Sequence, residues 1–314
     1  MLDIAPRLSI VIVSYNTAQM TLNCIKSVFE QAAKHDFEVI VFDNASSDGS
    51  AELIAANYPR VNLIRSQANL GFSKANNIAA GAARADYLLL LNPDTIILDH
   101  AIDRLLEFAH KRPTAKIWGG RTVFEDGTLN PTSCWRFMSG WSLFTQAIGL
   151  SSAFPRSTLF GREGYGGWDR DTEREVDIVT GCFLLVRREF WNELGGFDTR
   201  FFMYAEEADL CYRTRERGAR PMFTPDATIV HFGGASERIK SDKIVRLYKA
   251  KIQFIKKHWS TLGCRFGIVL ILLNVISRRV GYGIAAVLFR NENWDASSKQ
   301  WAEVLWRRKE WSLD

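Results

Sequence analysis

Leu88-Leu89-Leu90-Leu91-Asn92-Pro93-Asp94 is an apolar strand that ends in an acid. Upstream of it, strand and helix signals alternate. Leu8 to Val13 is an apolar, β-branched run and reads as a buried strand. Ala18 to Ala33 has helical composition, with apolar residues spaced at Leu22, Ile25, Val28 and Phe29. Phe37 to Phe42 is the next strand. It closes on Asp43-Asn44-Ala45-Ser46-Ser47-Asp48-Gly49-Ser50, a turn with N-cap residues for a helix around 50–57. Val61 to Arg65 reads as a strand, Ser73 to Ala83 as a helix and Tyr87 to Leu91 as a strand. Alternation with short connections implies an α/β fold, a mostly parallel central sheet with helices on both faces. Ligands of such sheets bind at the strands' carboxyl ends. Asp43 and Asp94 each follow a strand and are expected to face that crevice.

The remainder of the chain is less regular. Residues 131–175 are rich in Gly, Ser, Pro and aromatics, including Trp135, Phe137, Trp141, Phe144, Phe154, Phe160, Tyr165 and Trp168. They read as a long excursion over the site, partly helical around 139–150; excursions of this length are usually functional or disordered, and the aromatic content favours the first. Val176 to Val186 is a strand pattern with Thr180-Gly181 inside it, where glycine suggests close approach by a ligand or backbone. A helix, Gly195-Gly196-Phe197-Asp198 and the acid cluster Glu206-Glu207-Ala208-Asp209 follow, with a helix to about Arg217. Pro221 to Phe223 and Thr228 to Val230 read as two short strands, and His231 follows the second.

The 314 residues carry a net charge of +5, with 47% hydrophobic and 24% charged residues, the balance of a globular protein. Residues 238–314 hold 16 Lys/Arg against 6 Asp/Glu, leaving 24 against 29 in residues 1–237. A basic tail on a slightly acidic body suits an anionic surface, or else is a solvated helix. The tail is helical in pattern, with an apolar stripe at Ile244, Tyr248, Ile252, Ile255 and Trp259. Phe266 to Ile276 and Val280 to Phe289 are apolar halves separated by Arg278-Arg279, and neither reaches the ~20 residues of a spanning helix. Trp294, Trp301, Trp306 and Trp311 alternate with basic residues, as in interfacial segments. The expectation is a peripheral helix pair on an anionic membrane, against packing on the catalytic part or a homodimer interface. Five scattered cysteines without CxxC spacing suggest free thiols in a reducing compartment. Met1 to Arg7 is short and polar and does not read as a signal peptide.

Several chemistries are open to the acids. The first strand leads into Ser14-Tyr15-Asn16-Thr17 with no Gly-rich turn, and GxGxxG and GxxxxGK[ST] are both absent, which leaves hydride transfer and P-loop chemistry without support. Asp94 is either a ligand for Mg2+ or Mn2+, shared with substrate phosphates, or a helix cap. Asn92 adds only a neutral carbonyl. Glu206, Glu207 and Asp209 are either favourable charges at a helix start or include a general base whose pKa is raised by burial or acidic neighbours. His231, beside Gly233-Gly234-Ala235-Ser236, is either a metal or phosphate ligand or a structural histidine.

The order Ser9-Ile10-Val11-Ile12-Val13-Ser14-Tyr15-Asn16, Val41-Phe42-Asp43-Asn44, Asn69-Leu70-Gly71-Phe72 with Asn76-Asn77, and Leu91-Asn92-Pro93-Asp94 resembles the family 2 glycosyltransferases. Thr180-Gly181, Gly195-Gly196-Phe197-Asp198, Phe201-Phe202, Glu206-Glu207-Ala208-Asp209-Leu210-Cys211 and His231-Phe232-Gly233-Gly234 continue the match in order. The resemblance covers about residues 8–237 and is nearest to the rhamnosyltransferase-like branch, where Asn-Pro-Asp commonly replaces Asp-x-Asp.

That resemblance implies a GT-A nucleotide-diphospho-sugar transferase fold over residues 1–237. Residues 1–120 would form the nucleotide-sugar half and 121–237 the acceptor half, with a basic helical extension over 238–314. It implies Ser14, Tyr15, Asn16, Asp43, Asn69, Gly71, Asn76 and Asn92 at the donor, with Asp43 on the base. Asp94 would hold a divalent metal (Mg2+ or Mn2+), assisted by His231. Glu207 would be the catalytic base, where many relatives carry Asp, with Asp177, Thr180, Gly181, Glu206 and Asp209 near the acceptor. The implied activity is inverting transfer of L-rhamnose from dTDP-L-rhamnose to a hydroxyl of a lipid-linked or cell-surface glycan, for cell wall or polysaccharide biosynthesis at the cytoplasmic membrane face. The alternatives are a UDP-sugar donor such as UDP-GlcNAc or UDP-galactose, and a non-catalytic nucleotide-sugar or glycan binder. Nucleic acid is not an expected partner.

Overall fold

The computed structural model describes residues 6–32, 34–233, 240–290 and 292–312. These form two compact units. The first comprises the described residues of 1–135, 169–202 and 206–236, and the second those of 136–168, 203–205 and 237–314. Residues 136–168, expected with the catalytic part, therefore group with the C-terminal helices.

The first unit follows the alternation read from the sequence. Strand β1 (Leu8–Ser14) leads to α1 (Ala18–Gln31), β2 (Phe37–Asp43), α2 (Ser50–Asn57), β3 (Asn62–Arg65), α3 (Gly71–Gly81) and β4 (Tyr87–Leu91). Then come β5 (Thr95–Ile97), α4 (Ala101–Lys111), β6 (Ile117–Val123) and β7 (Cys134–Trp135). After the excursion the chain returns as β8 (Arg174–Glu175), β9 (Ile178–Val179), β10 (Phe183–Arg187), α7 (Arg188–Leu194), α8 (Glu206–Glu216) and β11 (Met222–His231). The main sheet has the order β3-β2-β1-β4-β10-β6-β11-β5. Its β3-β2-β1-β4 part is parallel, whereas β10 is antiparallel to both β4 and β6.

Both faces of the sheet are covered. Ile10 and Ile12 of β1, Val39 and Val41 of β2, and Leu89 and Leu91 of β4 share one buried cluster with Cys24, Ile25 and Val28 of α1, Ile54 of α2 and Leu105 and Leu106 of α4. Val11 and Val13 point to the opposite face, and α3 packs on β1 and β2. Burial on both sides is why these strands lack polar alternation.

Two strand expectations change. The run Val176 to Val186 is not one strand. Val179 pairs with Cys134 in a small second sheet, while Phe183 pairs with Leu91 in the main one, and Thr180 to Cys182 make the switch between them. Conversely, the two short strands expected around Pro221–Val230 are one strand. β11 pairs with β6 on both sides of a register shift between Thr224 and Thr228, which absorbs Pro225. His231 is its last residue and not a residue beyond it.

The second unit contains α5 (Gly140–Ala147), α6 (Leu150–Ala153), α9 (Lys240–His258), α10 (Thr261–Phe289), α11 (Glu292–Trp306) and α12 (Arg308–Trp311). Of the expected stripe, Tyr248, Ile252 and Ile255 are buried and Ile244 is half-buried, Trp259 lies just past α9 and is half-buried, and the sequence reading missed the buried Val245. The two apolar halves expected around Arg278-Arg279 are one continuous 29-residue helix, long and apolar enough to cross a membrane by length and composition. Arginine is a good helix former, so the pair interrupts the hydrophobicity and not the helix. Asn274 anchors this helix from its buried face. It accepts from the Tyr248 hydroxyl at 2.5 Å and donates to the Gln146 carbonyl at 2.6 Å. The tryptophans divide: Trp306 is fully accessible, whereas Trp311 is buried, its indole N–H donating to the Val304 carbonyl at 2.9 Å. Trp311 is thus a core residue, not an interfacial one.

Candidate active site

The sheet register assembles the site. Ser14 lies opposite Asp43, and Ile12 opposite Leu91, so β1, β2 and β4 end at one edge. Asp43 is buried there. Its Oδ2 accepts from the Ser46 N–H at 3.2 Å, while its buried Oδ1 has no protein partner. An acceptor left open at a strand's end costs free energy unless a ligand donates to it.

The residues beside Asp43 divide into formers of the pocket and supports for it. The Ser14 hydroxyl is wholly buried and bonds Thr21 Oγ1 at 2.9 Å and Thr17 Oγ1 at 3.3 Å. Its side chain, expected at the donor, is therefore turned into the β1–α1 junction, and only its backbone can line the pocket. Tyr15 follows, half-buried. Asn16 has φ +52°, and its Oδ1 accepts from the Ser47 N–H at 2.8 Å, tying the two strand-end loops together. Asp48 closes the same junction by accepting from the Ala18 N–H at 2.9 Å, and so caps α1 from a neighbouring loop.

A second asparagine network shapes the next loop. Asn44, buried, accepts from the Leu70 N–H at 2.8 Å and donates to Asn69 Oδ1 at 3.1 Å. Asn69 Oδ1 also accepts from the Gly71 N–H at 2.9 Å. Gly71 has φ +79°, and a Cβ there would lie 2.5 Å from the Phe202 carbonyl oxygen. Asn76 is buried inside α3 and donates to the Phe72 carbonyl at 2.9 Å, one turn back in the same helix. Its neighbour Asn77 binds the main chain of Phe197 in both directions, at 2.8 and 2.9 Å.

Asp94 lies between β4 and β5 and caps no helix. It is 6% exposed, with Oδ1 3.4 Å from His231 Nε2, outside hydrogen-bond geometry. Both ring nitrogens of His231 and the buried Oδ1 of Asn92 lack hydrogen-bond partners. Gly234, Ala235 and Ser236, which the sequence reading placed beside His231, lie outside the described residues. Among the described residues, no three His, Cys, Asp or Glu side chains form a metal cage by themselves. Two protein ligands completed by phosphate oxygens and water are nevertheless what Mg2+ or Mn2+ takes with a nucleotide. The unpartnered Asn92 Oδ1 and a neutral His231 ring nitrogen beside Asp94 fit such an ion.

Glu206, Glu207 and Asp209 have three different fates at the start of α8. Asp209 is fully buried and accepts from Arg213 Nε at 2.7 Å. Arg213 in turn donates to the Leu194 carbonyl at 2.7 Å and the Gly196 carbonyl at 2.8 Å. Asp209, expected at the acceptor, is thereby committed to holding the Gly195-Gly196 loop. Glu206 is buried with an unpartnered Oε2, and burial, reinforced by the charge of Glu207, holds its pKa well above the usual carboxylate range. Glu207 is half-buried with a sealed Oε2. Burial raises its pKa to about 7, against backbone N–H donors that include Gly181. A carboxylate poised near neutrality is suited to proton abstraction.

The two acid sites are neighbours through the strand switch. The Asn92 N–H donates to the Cys182 carbonyl at 3.1 Å, next to Gly181, whose missing side chain faces Glu207. Thr180, nearly buried, bonds the Ser133 carbonyl through its N–H at 3.1 Å, and Asp177 lies half-buried one residue before β9. Phe72, Asn44, Asn77 and Arg213 also shape the site. The sequence offered Phe72 and the asparagines only as motif letters, because their roles depend on backbone partners distant in sequence.

Known proteins share the chain's sequence family and its fold. The family model described as Glycosyl transferase family 2 matches residues 9–195. The N-acetylglucosaminyl-diphospho-decaprenol L-rhamnosyltransferase of Mycobacterium tuberculosis is 31% identical over 214 residues, covering 64% of this chain and 68% of that protein. Rhamnosyltransferase WbbL of Escherichia coli K12 is 29% identical over 238 residues, 71% of this chain and 83% of its own. Among solved structures, the mannosyltransferase PcManGT of Pyrobaculum calidifontis, in complex with GDP-Man and Mn2+, superposes with a TM-score of 0.60 at 15% identity, over 99% of this chain and 89% of that one. The chain belongs to glycosyltransferase family 2.

Proposed function

We propose that this protein transfers L-rhamnose from dTDP-L-rhamnose to a hydroxyl of a polyprenyl-diphosphate-linked glycan, with inversion and with a divalent metal. The observation that carries this reading is Glu207, half-buried against Gly181 beside the Asn92–Asp94 edge. The similarity to two rhamnosyltransferases, one named for a decaprenol-linked acceptor, supports the sugar and the lipid. Four buried free cysteines and a fifth that is half-buried fit the reducing cytoplasmic side of a membrane.

The chain's own residues do the following. Asp43 Oδ1 accepts from the imide N–H of the thymine base, filling its open valence. Asp94 and His231 would hold the divalent ion, and Asn92 would offer it a neutral carbonyl. Such an ion, when bound, offsets charge on the departing diphosphate. Glu207 takes the proton from the acceptor hydroxyl as that oxygen attacks the anomeric carbon. Attack opposite the leaving group inverts the centre. The Gly181 N–H orients the Glu207 carboxylate, and glycine there leaves room for the acceptor.

The test is a thermal-shift and donor-hydrolysis panel with dTDP-L-rhamnose, UDP-GlcNAc and UDP-galactose, each with and without Mn2+. A bound donor stabilises the fold by mass action. dTDP-L-rhamnose with Mn2+ should give the largest shift and release dTDP. A larger shift with a UDP-sugar would reassign the donor, and hydrolysis of none would make the protein a binder.

A further inference from the structure

On α10, Leu262, Phe266, Val269, Leu273, Ile276, Val280, Ile284 and Val287 recur every three or four residues, and all are exposed, Leu262 at 77% and Val287 at 78%. At 3.6 residues per turn and 1.5 Å per residue they form one straight apolar stripe about 40 Å long. Gly267, Leu270, Ile271, Asn274 and Val275 occupy the opposite, buried face. Arg265 and Arg279 are exposed and, by the same geometry, lie along one border of the stripe, and Arg290, also exposed, follows the helix as its C-terminal cap. No Asp or Glu occurs in α10. An open groove of about 450 Å³ between α10 and α11 is lined by Arg279, Val280, Gly283, Ile284, Val287, Leu288 and Ser298.

We infer that α10 lies in the plane of an anionic membrane, its Leu262–Val287 stripe among the acyl chains and Arg265, Arg279 and Arg290 at the lipid phosphates. This inference rests on the lipid-linked acceptor proposed above and names the surface that would bring the enzyme to it. An apolar face bordered by cations is the pattern of an interfacial helix. A contiguous exposed apolar stripe of this kind marks an interaction face. Spanning the bilayer would strip Asn274 from Tyr248 and Gln146 and carry Arg278-Arg279 into the hydrocarbon, both unfavourable. Pairing with a second copy would gather the arginines of two helices with no carboxylate of α10 between them, so an anionic lipid surface is the better complement.

The test is flotation of the full-length protein with vesicles of phosphatidylcholine alone or mixed with phosphatidylglycerol. The protein should float with the mixed vesicles, and less so as salt rises. Leu273→Asp with Val280→Asp should lower vesicle partitioning at least tenfold. Arg265→Glu, Arg279→Glu and Arg290→Glu together should lower it by about a hundredfold. Both variants should keep the wild-type melting temperature and donor hydrolysis. Undiminished flotation of the stripe variant overturns the inference. So does a wild-type dimer in light scattering that the stripe variant converts to monomer, which assigns the face to a second copy. Resistance to alkaline carbonate extraction overturns it in favour of a span. Loss of donor hydrolysis by wild type would instead count against the proposed reaction and leave the flotation result readable.

Discussion

Gly181 lies against the Glu207 side chain, and a Cβ on Gly181 would lie 3.7 Å from the Glu207 Cβ and 3.9 Å from its Cδ. Those are ordinary contact distances, so the fold does not exclude a side chain there, and the space beside the carboxylate is left for a ligand. Gly181→Ala should therefore keep the wild-type melting temperature while lowering kcat/KM for the acceptor by about tenfold, or about 1.4 kcal/mol. Thermal unfolding alongside acceptor-dependent kinetics checks both halves.

Glu207 titrates at about 7 when folded, against an ordinary 4.5. The base is the ionised form, so kcat/KM should rise with pH through about 7 and level off above it. The folded state holds this proton more tightly than the unfolded chain does. The group's contribution to stability is therefore fully present below pH 4.5 and is lost as pH rises through about 7. Glu207→Gln removes that loss. Its melting temperature should exceed wild type at pH 8, with the gap closing by pH 4.5, as differential scanning across pH would show.

Asp209 and Arg213 form a pair with the carboxylate fully buried and Arg213 17% exposed. Asp209→Asn leaves the guanidinium without its counter-charge and should destabilise the fold by about 3 kcal/mol. Below its lowered melting temperature the variant should keep the wild-type KM for acceptor. A raised KM with unchanged stability would return Asp209 to the acceptor site.

Gly71 and Gly49 share φ +79°, but their surroundings differ. A Cβ at Gly71 meets the Phe202 carbonyl at 2.5 Å and its ring at 2.6 Å, whereas nothing lies within 4 Å at Gly49. Gly49→Ala should cost only the left-handed backbone, about 1 kcal/mol. Gly71→Ala should cost about 2–4 kcal/mol and weaken donor binding, because Phe202 and the Asn69–Phe72 loop must move. Denaturant unfolding with calorimetric titration of dTDP separates the two.

The sequence was most informative where one local rule decided the outcome. Runs such as Phe37–Phe42 and Tyr87–Leu91 needed no partner to be recognised, and Asp43 ends the first strand while Asp94 lies just past the second. Sequence reading failed where the answer lay across the sheet or in the third dimension. Val176–Val186 looks like one strand because hydrophobicity does not record that Val179 and Phe183 pair in different sheets. β11 looks like two because Pro225 marks a break that a register shift in fact absorbs. Asp209 and Glu207 are indistinguishable as letters, and only Arg213 and Gly181 separate their roles. The same holds for Ser14, whose hydroxyl turns to Thr21, and for α10, where Arg278-Arg279 interrupt the apolar run and leave the helix intact.

The role of Glu207 is tested most directly by measuring transfer from dTDP-L-rhamnose to a polyprenyl-diphospho-N-acetylglucosamine acceptor with Mn2+, for wild type and Glu207→Gln. The wild type should form the inverted glycoside. Glu207→Gln should bind dTDP as wild type does and transfer slower by about 10²–10⁴-fold. Transfer by Glu207→Gln at the wild-type rate would contradict the account.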